Sequence, residues 1–332
     1  MDEIITLDYG SGGKKTSRLI ENMVVPAFAN PALEALGDAA VLPGAESLVF
    51  STDSFVVSPL FFPGGDIGKL AVCGTVNDIA VSGGVPKYLS CAFVIEEGFQ
   101  TASLGRIIES IRAAAEKAGV SVVTGDTKVV ERGRGDGLYI NTAGIGFLKA
   151  PGLSPRAIRT GDDVIVSGTV GDHGTAVMLA RSGMLNGEIR SDCAALNGLC
   201  EAILGSGAAV RVLRDPTRGG VATTLCEFVE GSAYSIELDE PAVPVQPGVQ
   251  AACELLGLDP LYCANEGKLL CVVAHEDCEK ALAAMRGTEE GKNAAVIGRV
   301  TERFAGKVVM KTAFGGSRIL QKLAGAQLPR IC

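Results

Sequence analysis

"DIGKLAVCGTVNDIAVSGG", residues 66–84, reads as a helix that starts at Asp66 and is otherwise built from small and apolar residues, with a second carboxylate, Asp78, set into its interior. It lies between two stretches that read as strands, "SLVFSTDSFVV" (47–57) and "KYLSCAFVIEE" (87–97). Next comes "TASLGRIIESIRAAAEKAG" (101–119), with Leu104, Ile107, Ile108 and Ile111 at helical spacing and Gly119 as its stop. "VSVVTG" (120–125) and "LYINTAGIGFL" (138–148) read as further strands. Strands and helices thus alternate through the first half, the pattern of an α/β domain. A Pro- and Gly-bearing stretch, "KAPGLSPRAIRTGDD" (149–163), interrupts it. Two domains are therefore expected, 1–150 and 151–312.

The second half repeats the mixture. "DVIVSG" (163–168), "LLCVVA" (269–274), "AAVIGRV" (294–300) and "KVVMKT" (307–312) read as strands. "HGTAVMLARSG" (173–183), "GGVATTLCEFVEGSA" (219–233) and "HEDCEKALAAMRG" (275–287) read as helices. The last stretch, "AFGGSRILQKLAGAQLPRIC" (313–332), is expected to be an extended, mobile tail carrying Cys332.

Composition narrows the function. The chain has 332 residues, 47% hydrophobic and 20% charged, which is globular and long for a single core. A net charge of -8 argues against nucleic acid as a partner. No apolar run reaches the roughly 18 residues of a membrane span, and "MDEIITLDYG" is no secretory leader, so a cytoplasmic location is expected. Ten cysteines include no CxxC pair. Cys271, His275 and Cys278 form a poor zinc candidate in a chain with two histidines. Cys73, Cys91, Cys226 and Cys271 sit in apolar runs and read as reduced core residues. Cys332 has no such surroundings. On its own it reads as a redox or incidental thiol, or as a reactive one.

Five aspartates recur beside Gly or at element ends: Asp38 in "GDAAVL", Asp53 in "FSTDSF", Asp78 in "VNDIAVSGG", Asp126 in "VTGDTKVV" and Asp215 in "RDPTRGG". Each alone reads equally well as a turn or cap residue. Asp78 on an apolar helix needs a partner, which Mg²⁺ with phosphate oxygens would supply. "YGSGGKKTSRLI" (9–20) offers Gly10, Gly12 and Gly13 ahead of a helix, either as a phosphate cradle or as a plain turn. Neither GxxxxGK[ST] nor a strand-borne GxGxxG is present. Lys128 stands two residues beyond Asp126, so on a strand it faces the same way. Glu266 in "ANEGKL" precedes Gly267 and an apolar strand, where partial desolvation would raise its pKa.

"GDAAVL", "STDSFVVSPLFFPGG", "NDIAVSGG", "TGDTKVV", "DPTRGGV", "ANEGKL" and the final "PRIC" together resemble the HypE family of hydrogenase maturation factors. That family belongs to the superfamily of aminoimidazole ribonucleotide synthetase and selenophosphate synthetase. The resemblance runs in order through the chain, and Tyr9 stands where the family often carries His. It implies two α/β domains, with N-terminal domains pairing into a β-barrel across a homodimer. It implies a Mg–ATP site on Asp38, Asp53, Asp78, Asp126, Thr127 and Asp215, with Asp38, Asp78 and Asp126 on the metal. Cys332 becomes a carrier thiol, loaded with a carbamoyl group by the carbamoyltransferase HypF. ATP-dependent dehydration then yields a thiocyanate, whose cyanide passes to iron on the HypC–HypD complex for nickel–iron hydrogenases. Lys128 offsets charge on the reacting oxygens and Glu266 acts as general base. Asn265 orients substrate or nucleotide, and His173, at a helix start, is given no catalytic role.

Overall fold

The computed structural model describes residues 2–11, 13–34, 39–184, 188–325, 328 and 330–332. Helix Ile67–Val81 is the pivot of the molecule. Asp66 caps it, its Oδ1 accepting from the N–H groups of Gly68 (2.8 Å) and Lys69 (3.0 Å). Every residue of this helix is buried except Lys69 and Asp78, which are partly so. A helix apolar all round can be stable only when packed on all sides.

On one side it meets helix Thr101–Ala118 and a four-stranded sheet, formed by β1 (Leu48–Phe55), β4 (Gly84–Glu96), β5 (Ser121–Val130) and β6 (Leu138–Leu148). The short hairpin β2 (Phe61–Phe62) and β3 (Gly65–Asp66) leads into it. Helix Thr101–Ala118 ends at Gly119, whose φ of 68° is left-handed and therefore suits glycine. The strand order is β1-β6-β4-β5, antiparallel except for the parallel β4–β5 pair. Side chains alternate along β1: Val49, Ser51, Asp53 and Phe55 are shielded to varying degree, while Leu48, Phe50, Thr52 and Ser54 face outward. Leu48 and Phe50 remain 52% and 66% exposed, so two large apolar side chains stand uncovered by the described residues at this edge of the sheet's outer face, beside Thr52 and Ser54.

The second sheet has seven strands in the order β13-β12-β9-β11-β7-β10-β8. They are β7 (Asp163–Val166), β8 (Val210–Arg214), β9 (Ser235–Asp239), β10 (Leu270–Val273), β11 (Ala295–Thr301), β12 (Val308–Lys311) and β13 (Ser317–Leu320). Both faces of β7 and β10 are covered. Val164, Val166, Leu270 and Val272 join Val221, Leu225 and Phe228 of helix Gly220–Val229. Ile165, Cys271 and Val273 join Leu199 and Ile203 of helix Asn197–Gly205 and Met285 of helix Cys278–Arg286. That double burial is why these strands are continuous apolar runs in the sequence.

The structure departs from the sequence reading in three places. β8, β9 and helices Asn197–Gly205 and Pro247–Leu256 were not expected. β8 reads "VRVLR" and lies at a sheet edge, where arginines can reach water without disturbing the core. Residues 317–320, expected within an extended tail, form edge strand β13 on β12, with Leu320 in the core. The first domain's core also takes in residues from the second: Val177, Cys193, Ala264 and Ile331 join the cluster around Ile67, Leu70 and Val76. No helix among the described residues is long and apolar enough to cross a membrane.

Candidate active site

A cleft of about 490 Å³ opens between the two sheets' domains. The first domain contributes Asp53 from β1 and Gly74 and Asp78 from the pivot helix; the second contributes Asp215, Arg218 and Glu266. Asp53 reaches the cleft because strand alternation turns it inward. Ser51, two residues earlier on the same face, donates to Asp78 Oδ2 at 2.6 Å, which is the partner that this helix carboxylate required. Gly74 keeps the wall open: a Cβ there would stand 2.9 Å from the Phe55 ring.

Glu266 is held by its backbone. Its N–H donates to Asp192 Oδ1 (3.1 Å), and its carbonyl accepts from Ala194 N–H (3.3 Å) and Asn77 Nδ2 (3.3 Å). Asn77 also donates to the Ala194 carbonyl (3.0 Å) and accepts from Leu196 N–H (2.7 Å). It therefore ties the helix of Asp78 to the loop of Glu266. Glu266 is 2% exposed, yet among the described residues its Oε1 has no hydrogen-bond partner. A buried carboxylate oxygen left unpaired is costly, so it calls for a partner, which a ligand, an ion or the reacting group in the cleft can supply.

Charge is crowded here. Burial, then the neighbouring Asp78, raises Asp53 to about 6, with Arg218 pulling the other way. Burial, then Asp78, raises Asp215 to about 7. Burial, then Asp215 and Asp192, holds Glu266 well above the usual carboxylate range. The cleft thus carries more carboxylates than it can ionise together, and a cation would relieve them. Among the described residues, no group of three or more His, Cys, Asp or Glu is arranged to hold a metal. An ion taking one or two carboxylates and completing its shell with phosphate oxygens fits that donor set.

Cys332 lines the same cleft. Its main-chain oxygen accepts from Val56 N–H (3.2 Å), so the end of the tail runs beside the strand that carries Asp53. Burial, then the charge of Glu266, pushes its thiol up to about 12. Seated here, the thiol is protonated at neutral pH and a poor nucleophile.

Asp126, Thr127 and Lys128 do not line this cleft. They border a separate hollow of about 280 Å³ with Gly10 and Thr16. The hollow does bring the glycine loop to "TGDTKVV", and Ala39 and Ala40 line it too; Asp38 itself lies outside the described residues. Lys128 Nζ is 2.7 Å from Asp126 Oδ1, as same-face alternation on β5 requires, and it holds the Asp126 carboxyl below its usual range. Asp126 sits on β5 and Asp53 on β1, three strand spacings apart, or about 14 Å.

Asn265 differs from its expected role of orienting a ligand. Its Oδ1 accepts from Gly171 N–H (2.8 Å), and its Nδ2 donates to the carbonyls of Pro216 and Cys263 (3.1 Å each). All its polar atoms brace loops. Sequence reasoning missed Arg218, although it stands inside "DPTRGG", because one arginine beside glycines carries no signal until the fold sets it opposite Asp53.

Two family models match the chain: "AIR synthase related protein, N-terminal domain" over residues 36–148 and "AIR synthase related protein, C-terminal domain" over residues 159–311. Carbamoyl dehydratase HypE of Cupriavidus necator is 51% identical over 332 residues, spanning 99% of this chain and 95% of that protein. A crystal structure of hydrogenase maturation protein HypE in complex with ATP superposes with a TM-score of 0.94 at 49% identity, covering 98% of this chain and 99% of that one. A HypE–HypF complex structure matches with a TM-score of 0.80 at 49% identity, covering 92% and 99%.

Proposed function

The chain belongs to the HypE family of carbamoyl dehydratases, and from that premise we propose that Cys332 carries the S-carbamoyl group which the cleft dehydrates to a thiocyanate at the expense of ATP. The product supplies cyanide ligands for nickel–iron hydrogenase maturation. The observation that carries this reading is the meeting in one cleft of the Cys332 thiol and the unpaired, buried Glu266 carboxylate.

Dehydration requires the carbamoyl oxygen to become a leaving group, which phosphoryl transfer from ATP to that oxygen provides. As the oxygen is phosphorylated the nitrogen gives up its first proton to water, leaving an iminophosphate, and loss of phosphate with the second N–H proton then leaves the S–C≡N group. Glu266 is the base for that proton, since its burial favours the neutral product of proton uptake. Asp53, Asp78 and Asp215 face the phosphates. Mg²⁺, held by Asp78 with Asp38 and Asp126 as further ligands, would neutralise charge on the transferred group and lower the crowded carboxylates. Arg218, opposite them, offsets charge on the reacting oxygens.

Asp126, Thr127 and Lys128 join the site through a homodimer. The outer face of the four-stranded sheet, where Leu48 and Phe50 stand uncovered, is the surface on which a second copy packs. Pairing there places the strip on β5 of one subunit toward the cleft of the other, where Lys128 meets the transferred phosphate.

Loading takes place with the tail outside the cleft. A thiol pushed up to about 12 does not attack a carbamoyl donor, whereas in water it returns toward the ordinary cysteine range. HypF is the loading partner and the HypC–HypD complex the cyanide acceptor. The test is intact-mass analysis of the peptide bearing Cys332 after carbamoylation and after ATP. Loss of one water from the adduct on Cys332 is expected; an adduct on another residue, or no loss of water, removes the proposal.

A further inference from the structure

The tail is held at three successive main-chain oxygens. Arg330 O accepts from Ser58 N–H (3.2 Å) and from Arg181 Nη2 (2.8 Å), Ile331 O from His173, and Cys332 O from Val56 N–H (3.2 Å). The middle contact is the unusual one. His173 is fully buried, its Nε2 lies 2.9 Å from Ile331 O, and its Nδ1 lies 2.8 Å from Ser191 Oγ. A carbonyl only accepts, so Nε2 carries the proton. In the neutral ring Nδ1 is then an acceptor, and Ser191 O–H must donate to it. Ser191 Oγ is free to do so because it accepts in turn from Cys193 N–H at 3.1 Å. Phe62 packs its ring edgewise on the imidazole at 5.4 Å and fixes its plane. The ring is therefore locked in one tautomer and one orientation, with a single N–H aimed at the peptide preceding Cys332.

We propose that His173, oriented by Ser191, is the positioning residue that seats the tail and sets the S-carbamoyl group of Cys332 against Glu266. This rests on the carrier reading of Cys332. His173 touches no reacting atom; it fixes the chain one residue away, where a small displacement of the thiol adduct is costly to rate. Loss of the contact leaves Ile331 O buried without its donor, which favours the unseated tail.

The test uses the full-length protein with three variants: His173→Leu, which keeps bulk but no N–H; His173→Gln, whose amide N–H reaches about as far as Nε2; and Ser191→Ala, which frees the ring. Two readouts are taken. One is the rate of Cys332 alkylation by iodoacetamide without ATP, read on its peptide by mass. The other is single-turnover loss of water from carbamoylated Cys332. His173→Leu should speed alkylation and slow dehydration, each by on the order of tenfold, with ATP affinity within about twofold of wild type. Ser191→Ala should show the same changes at smaller size, and His173→Gln should recover most of both. Wild-type alkylation and turnover in His173→Leu would overturn the proposal, as would a His173→Gln variant no better than leucine. Should the leucine variant fail to fold, unchanged alkylation and turnover in Ser191→Ala would overturn it. Failure of the carrier reading is separately visible: wild-type adduct would then lose no water, whereas the alkylation arm needs no chemistry at all.

Discussion

Replacing Glu266 by glutamine tests the chemistry and the electrostatics of the cleft together. The change is close to isosteric, and the position is held through its backbone by Asp192, Ala194 and Asn77, none of which depends on the carboxylate. The fold and ATP binding should therefore survive. An amide cannot take the proton from the carbamoyl nitrogen, and a positioned general base is worth roughly 10²- to 10⁴-fold, so single-turnover thiocyanate formation should fall by that factor. Stability supplies an independent check. The folded-state value of Glu266 is raised above its unfolded value, so its contribution is fully present below the unfolded pKa and is lost as pH rises through the folded one. Without added nucleotide, the wild-type melting temperature should thus decline more steeply than that of Glu266→Gln as pH rises above the unfolded glutamate range. Asp53 and Asp215 are raised in the same direction, so the variant's curve becomes shallower, not flat. Calorimetry across pH and mass spectrometry of the Cys332 adduct read the two effects. Thiocyanate at the wild-type rate would assign the base elsewhere, and identical pH slopes would show that burial does not raise Glu266 in the fold.

Asp78→Asn keeps an oxygen for the Ser51 hydroxyl and should fold normally, while ATP hydrolysis drops by at least about tenfold, the loss typical even for groups that merely support a metal ligand. Full ATPase activity in the folded variant would remove Asp78 from the site. Protons compete with Mg–ATP for Asp215 and Asp53, raised to about 7 and about 6, so affinity measured by calorimetry should weaken as pH falls, by up to roughly tenfold per displaced proton per unit. A flat profile would contradict the charge crowding. Phe50→Asp places a carboxylate on the outer sheet face in both copies and should weaken dimerisation on the order of 100-fold or more in sedimentation. An unchanged dimer would move the interface to another surface.

Apolar spacing and the Gly119 stop were enough to read helix 101–118, where one buried face reflects burial directly, whereas helix 67–81 was legible only as an unbroken run of small and apolar residues between strand-like stretches. β8 and β13 escaped because edge strands tolerate polar residues, and only the neighbouring strand's hydrogen bonds make them strands. Lys128 and Asp126 were readable as a pair, since two residues on one strand share a face whatever surrounds them. His173 was not readable: a histidine at a helix start says nothing until a segment 158 residues away lays its carbonyl on the ring.

The sequence alone determined the class of domain, the set of acidic loops and, through their order along the chain, the family whose chemistry they serve. Local composition and spacing carry that information because caps, turns and strand alternation depend on near neighbours. Tertiary structure alone decided that Asp53, Asp78, Asp215, Glu266 and Cys332 share one cleft while Asp126 and Lys128 border another. It also decided which carboxylates are raised and which thiol is silenced, since desolvation and charge crowding are set by what lies within a few ångströms in space, and those neighbours come from distant parts of the chain.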